Sequence, residues 1–300
     1  METLRVIAPP GRTLDPGVVR DLVADAYPSG DFGGQRVLVI IPDHTRTAPV
    51  GQIFRGLFQQ LGGVTQAFDV LVALGTHPPL SEEAICRRLE ITAAERRSRY
   101  GRVRFFNHAW DDPAALQTVG TLSAETIREL TGGLFALDVS VEVNKLLFDY
   151  DSVIIVGPVF PHEVVGFSGG NKYLFPGVAG PRILNFFHWL GAVITTPKVI
   201  GHKWNPVRRV VDRAAALVPV TKFCLAMVVN PASGGLLGLF SGTPEGAWDA
   251  ASELSARHHI VYQDRPFHTI LSCAPPMYDE LWTAGKCMYK LEPVLADGGE

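Results

Sequence analysis

Val37-Leu38-Val39-Ile40-Ile41-Pro42-Asp43-His44-Thr45-Arg46 runs from a block of apolar, largely β-branched residues straight into a polar turn. An uninterrupted apolar run of this length suits a strand covered on both faces. The pattern recurs in Val70-Leu71-Val72-Ala73-Leu74, Val103-Arg104-Phe105-Phe106 and Val153-Ile154-Ile155-Val156. Helix candidates lie between, at residues 49–61 and 81–89; Ser81 suits an N-cap, with Glu82 and Glu83 favourably placed in the first turn. Strand and helix in alternation predict α/β layers around a mainly parallel sheet.

Each apolar run leads into polar, titratable residues: Asp43, His44 and Arg46 after the first, Gly75-Thr76-His77 after the second, Asn107-His108 after the third and Pro161-His162 soon after the fourth. Open α/β sheets bind ligands outside the carboxyl ends of their strands, so these segments are expected to meet at one edge. Farther on, residues 223–229 and 236–240 read as a hairpin across Asn230-Pro231-Ala232-Ser233-Gly234-Gly235, followed by a helix over 244–256. A strand over 268–273 and a helix over 281–290 would open a new unit. The expected division is an N-terminal α/β domain over 1–256 and, over 257–300, the start of a second α/β domain that stops short of completion.

With 300 residues, 47% hydrophobic and 19% charged, the chain can bury a large core in one large or two ordinary domains. A formal net charge of −3 without long runs of either sign gives no attraction to nucleic acid or an anionic membrane, and neither is an expected partner. Met1-Glu2-Thr3-Leu4-Arg5 carries no basic segment leading into an apolar one, and apolar runs end well before spanning length, so a cytoplasmic location is expected. Cys86, Cys224, Cys273 and Cys287 form no Cys-x-x-Cys pair, which argues against a thiolate zinc site or a disulfide framework.

The densest concentration of chemistry is Pro161-His162-Glu163-Val164-Val165-Gly166-Phe167-Ser168-Gly169-Gly170-Asn171-Lys172. It is not a Walker loop, because Asn171 precedes the lysine and Tyr173 follows it, and no Gly-x-Gly-x-x-Gly opens a first strand-to-helix turn. Its glycines either let a backbone approach a ligand or simply supply turn conformations. Asp43 and Arg46 are either a local ion pair or a carboxylate beside a guanidinium fork suited to a carboxylate or phosphate ligand. His77 and His162 can transfer protons near neutral pH, whereas His44 and His108 suit loop hydrogen bonds. His188, in Phe186-Phe187-His188-Trp189, belongs either to a packed core helix or to a metal site whose metal the imidazole alone does not name.

Taken together, Asp43-x-x-Arg46, Gly75-Thr76-His77, His162 through Gly169-Gly170-Asn171-Lys172-Tyr173-Leu174-Phe175-Pro176-Gly177, His188 and late Lys286 resemble the nickel-pincer lactate racemase family over nearly the whole chain. The spacing across His162, Lys172 and His188 is the most specific part. The resemblance implies a nickel-pincer nucleotide, a pyridinium-3,5-bisthiocarboxylic acid mononucleotide holding nickel. Lys172 would be its attachment point, Gly169, Gly170 and Asp43 would be cofactor-binding, and His188 the protein ligand to nickel. His77 and His162 would be the paired catalytic acid/base histidines, with Arg46, Lys286 and Thr283 at the substrate. Thr283 stands where lactate racemase has a glutamine, and Thr47 replaces the proline usual after the matching arginine, so the 2-hydroxy acid is left open. The implied activity is racemisation or epimerisation of a 2-hydroxy acid by an isomerase, with cofactor-making proteins as partners. The rival readings are a non-catalytic protein that binds or delivers the cofactor and a zinc hydrolase; two acid/base histidines argue against the first, and the absence of His-Glu-x-x-His against the second.

Overall fold

The structure, a computed structural model, describes residues 2–276, 278 and 281–300, with only the backbone of Trp282 and Thr283. The first half of the chain contains β1 (Leu4–Ile7), α1 (Pro16–Ala26), β2 (Arg36–Pro42), α2 (Val50–Leu61), β3 (Ala67–Ala73), α3 (Glu82–Arg88), α4 (Ala93–Arg97), β4 (Phe105–Asn107), β5 (Leu116–Leu122), α5 (Ala124–Leu130) and β6 (Val139–Asn144). Then come β7 (Ser152–Pro158), β8 (Pro161–His162), β9 (Gly166–Phe167), α6 (Pro181–Ile194), α7 (Thr196–Val199) and α8 (Pro206–Ala215). The last elements are β10 (Thr221–Val229), β11 (Leu236–Gly242), α9 (Pro244–His259), α10 (Leu281–Ala284) and α11 (Lys286–Leu291).

All four apolar runs that suggested strands lie in the central sheet, whose order is β1-β11-β10-β7-β2-β3-β4. From β10 to β4 every neighbour is parallel; β11 runs antiparallel to both β10 and β1. Within β2, Val37, Val39 and Ile41 join one core with Val23, Ile53 and Leu57 of α1 and α2. Leu38 and Ile40 join the opposite core with Phe187, Val210 and Trp248 of α6, α8 and α9. Burial on both faces, at roughly 1.5–3 kcal/mol per large apolar side chain, is why the run is continuous rather than alternating.

The order of the strands sets the position of the site. From β2 the chain builds outward through β3 and β4, then returns and places β7 on the other side of β2, with β10 beyond it. The direction of winding therefore reverses between β2 and β7, and the crevice at the carboxyl ends of those strands is where such a sheet offers room for a ligand. The separate β5–β6 pair lies over one face, with Val139, Val141 and Val143 in the same core as α6.

Ser81 caps α3 as expected, accepting from the Ala84 amide at 3.2 Å, and the hairpin forms as β10 and β11. Two expectations near the C-terminus differ. Residues 268–273 make no strand; Phe267 forms an isolated bridge with Leu295, and the Ile270 amide donates to Glu300 at 2.8 Å. The run contains Thr, Ser and Cys, and its backbone meets the tail at His268 and Ile270 rather than a sheet. The helix over 281–290 is divided at Gly285 into α10 and α11. Among the described residues, no helix is long and apolar enough to cross a membrane.

Candidate functional site

A cavity of about 360 Å³ opens at the carboxyl ends of β2, β3 and β7. That is within the size range of small-molecule sites. Its wall takes Asp43 and Arg46 from the loop after β2, His77 from the loop after β3, and His162 and Lys172 from the segment after β7. His188 of α6 and Lys286 of α11 complete it.

The loop after β2 curls around Asp43. The amide and hydroxyl of Thr45 donate to Asp43 Oδ1 at 3.0 and 2.6 Å, while Oδ2 bonds to His77 Nδ1. Burial pushes the Asp43 carboxyl upward, but the bonds from His77 and Thr45 and the nearby Arg46 charge outweigh it and hold the group well below the usual carboxylate range. Asp43 is thus ionised and can only accept, so His77 donates from Nδ1 and keeps its lone pair on Nε2. Arg46 donates to Thr45 Oγ1 at 2.8 Å, and among the described residues no carboxylate lies within ion-pair range of it. The expected alternative of an Asp43–Arg46 ion pair is not formed, so the guanidinium, held at one nitrogen by Thr45, has no carboxylate partner among the described residues. Arg88 fastens the loop from behind, donating to the carbonyls of Pro42, Arg46 and Ala48 at 3.3, 2.7 and 3.2 Å.

His77 owes its place to Gly75, which has φ +56° and donates its amide to the Gly177 carbonyl at 2.9 Å. That bond ties the loop after β3 to the end of the glycine-rich segment. His162 lies across the short β8–β9 ladder, and its Nδ1 accepts from the Val164 amide at 3.1 Å. Burial is the main reason its imidazole is pushed far below the ordinary histidine range; Glu163 opposes this, and Lys172, Lys286 and Arg46 reinforce it. Neutral His162 therefore carries its proton on Nε2, the reverse of His77.

The glycine-rich segment is held from underneath by a fully buried arginine, Arg208. It donates to the Phe167 carbonyl at 2.6 Å and to that of Gly169 at 3.4 Å, and its guanidinium sits 4.0 Å from the centre of the Trp248 ring. Trp248 in turn donates from Nε1 to the Ser168 carbonyl at 3.0 Å. Gly169, at φ +87°, lines the cavity, whereas Gly170, at φ +57°, stands behind it, where an added Cβ would come within 2.8 Å of Trp248 Cβ. Lys172 comes next in the wall, with no hydrogen-bond partner for its amine among the described residues. Burial first, then the Arg46 charge, lowers that amine to about 7, so it is mostly neutral and nucleophilic in mildly basic solution.

On α6, His188 bonds through Nδ1 to the Leu184 carbonyl at 3.0 Å. A carbonyl only accepts, so Nδ1 donates and Nε2 presents a lone pair, the arrangement of a metal-ligating histidine with its second nitrogen fixed by backbone. Among the described residues no three His, Cys, Asp or Glu side chains gather as a metal site. A metal held by His188 would take its other donors from a bound group. His108 is buried, bonded to the Ala179 carbonyl at 3.0 Å and to Asn144 at 3.1 Å, and burial lowers it to about 4; like exposed His44, it is not part of the cavity wall. The Thr283 side chain lies outside the described residues.

Residues 29–199 match the lactate racemase N-terminal domain. The chain belongs to the lactate racemase N-terminal domain family. Asp43, Arg46, His77, His162, Lys172 and His188 all fall inside the matched segment, and Lys286 falls outside it. Lactate racemases of Thermoanaerobacterium thermosaccharolyticum and Lactiplantibacillus plantarum are 24% and 27% identical to it over 89% of the chain, which spans only 59% of their length. A crystal structure of a Thermotoga maritima protein superposes with a TM-score of 0.85 at 33% identity, covering 96% of this chain and 70% of that one. The lactate racemase apoprotein of T. thermosaccharolyticum shares the fold, with a TM-score of 0.60 at 22% identity over 79% of this chain and 54% of that one.

Sequence reasoning did not single out Arg88, Arg208 or Glu163. An arginine within a helix reads as solvated surface until the fold shows which carbonyls it meets. Glu163 did carry a signal, as a carboxylate directly beside a candidate catalytic histidine.

Proposed function

We propose that the cavity racemises or epimerises a 2-hydroxy acid with the help of a nickel-pincer nucleotide. The observation that carries this reading is the convergence on one cavity of two histidines in opposite protonation patterns, a lysine whose amine has no hydrogen-bond partner among the described residues and a histidine that presents its Nε2 lone pair.

The residues fit the implied cofactor. Lys172 offers a neutral amine for covalent attachment, and His188 offers an oriented imidazole lone pair beside soft sulfur donors, a reasonable set for nickel. When bound, that group supplies acceptance and return of the α-hydrogen as hydride. The protein supplies the rest. Arg46 and Lys286 hold the substrate carboxylate, the first through its fork and the second as a point charge. His77, with Asp43 fixing Nδ1–H, takes the hydroxyl proton at Nε2; the resulting imidazolium is stabilised by the ionised Asp43. His162 serves the opposite enantiomer, whose hydroxyl points to the other side, and each imidazole returns a proton in the direction the other initiates. The loops after β2, β3 and β7 form the cavity wall around the place where the substrate would sit.

The test is racemisation of enantiopure 2-hydroxy acids in deuterium oxide by protein produced together with the cofactor-making enzymes. At least one acid should lose its optical activity with the α-hydrogen largely retained. Rapid deuterium incorporation at that carbon would mean that a proton is abstracted there, and would exclude the hydride route.

A further inference from the structure

Three imidazoles line the cavity, and of the two read as acid/base groups, His77 and His162, His77 has its inner nitrogen bonded to a carboxylate. His162 Nδ1 instead accepts from the Val164 amide, which forces the ring proton onto Nε2. In that state His162 cannot act as a base at Nε2, because no lone pair is there. To accept a proton at Nε2, its own proton must sit on Nδ1; to act as an acid, both nitrogens must be protonated. Either duty puts a proton on Nδ1, and an amide N–H cannot receive it. Among the described residues, the charged groups around the ring are Glu163, Lys172, Lys286 and Arg46, and of these only Glu163 can accept. Glu163 Oε2 lies 3.5 Å from Nδ1, just beyond a good hydrogen bond.

What keeps Glu163 from that bond is on its other side. Its Oε1 is engaged by Lys286 Nζ, and both side chains are largely buried at the cavity wall. Lys286 is also the cation that would meet a substrate carboxylate. An incoming substrate carboxylate adds a second anion beside the same ammonium, so Glu163, displaced from Lys286, is left as a carboxylate in need of a donor next to His162 Nδ1.

Building on the 2-hydroxy acid reading, we propose that Glu163 is a positioning residue with two alternative partners. Without substrate it holds Lys286 against the cavity; the substrate carboxylate replaces it there, and Glu163 then accepts the Nδ1 proton of His162. The exchange gives His162 a carboxylate partner equivalent to the one Asp43 gives His77, and only once substrate is in place.

The probe is oxamate, a non-reacting carboxylate of the same size class, titrated calorimetrically into cofactor-loaded wild type and Glu163→Gln. With its competitor for Lys286 removed, Glu163→Gln should bind oxamate several-fold more tightly, and the difference should vanish in a Lys286→Met background. Nitrogen-15 spectra of histidine-labelled protein should show the His162 proton moving from Nε2 to Nδ1 when oxamate binds to wild type but not to Glu163→Gln. On a racemised acid, kcat of Glu163→Gln should fall by about 10²-fold without a rise in KM, and Glu163→Asp should recover part of the loss. Weaker oxamate binding in Glu163→Gln together with a higher KM would show that Glu163 merely props Lys286, and would overturn the exchange, as would a His162 tautomer indifferent to oxamate. If wild type racemises no 2-hydroxy acid, the functional reading falls by itself, while the oxamate comparison still decides the exchange.

Discussion

Single residues in this cavity are tuned by what surrounds them rather than by their own chemistry. Lys172 has an ordinary side chain, yet burial and the Arg46 charge bring its amine to about 7 against roughly 10.4 for a free lysine. The depressed group gives up its proton first, so competitive acetylation followed by peptide mass analysis should show Lys172 reactivity levelling off just above neutral pH. Other lysines should keep gaining reactivity up to about pH 10; a Lys172 profile that matches theirs would mean the amine is open to water. Asp43 works through His77. Asp43→Asn lets the side-chain amide donate to Nδ1, which would move the imidazole proton to Nε2 and remove the base. We expect kcat to drop by about 10²-fold or more, measured on protein of matched nickel content.

At the level of elements, the site is positioned by connections that cross between them. Arg88 extends from α3 to three carbonyls of the loop after β2, so a helix that contributes nothing directly to the chemistry sets where Arg46 points. Arg88→Met should raise KM for the acid more than it lowers kcat. It should also cost on the order of 1.5–3 kcal/mol in urea unfolding for the lost charge-assisted bonds, and unchanged KM would show that the loop holds itself. The glycine-rich segment was legible as a candidate site loop because of its composition, but its support was not. Arg208 and Trp248 come from α8 and α9, far along the chain, and nothing in their local sequence marks them as the floor beneath Gly169. The β5–β6 pair was likewise invisible to a search for continuous apolar runs, since Gln117 and Thr118 are exposed and only one face is covered.

Across the whole molecule, the reversal of winding between β2 and β7 brings together groups that lie far apart in sequence. The proposed cofactor would thereby have two separate anchors: Lys172 from the loop after β7, and His188 from α6. Protein produced with the cofactor-making enzymes should carry nickel and a nucleotide-sized mass adduct. Lys172→Ala should lose the adduct, whereas His188→Ala should keep it and shed nickel on dialysis, as read by intact mass and metal analysis. Wild type that takes up zinc but never nickel under the same conditions would remove the main support for this cofactor.

By itself, the sequence determined the parallel sheet, since only strands buried on both faces tolerate runs such as Val37-Leu38-Val39-Ile40-Ile41. It also determined which polar loops come after those strands, because each motif is contiguous with its apolar run. Only the tertiary structure decided which nitrogen of each histidine is free, that Asp43 serves His77 rather than Arg46, and that Glu163 stands between His162 and Lys286. These are matters of which acceptor lies within about 3 Å of which donor: the Asp43–His77 and Glu163–Lys286 bonds join residues too far apart along the chain to leave a local trace, and the Val164 amide reaches His162 Nδ1 only through the turn that the fold imposes.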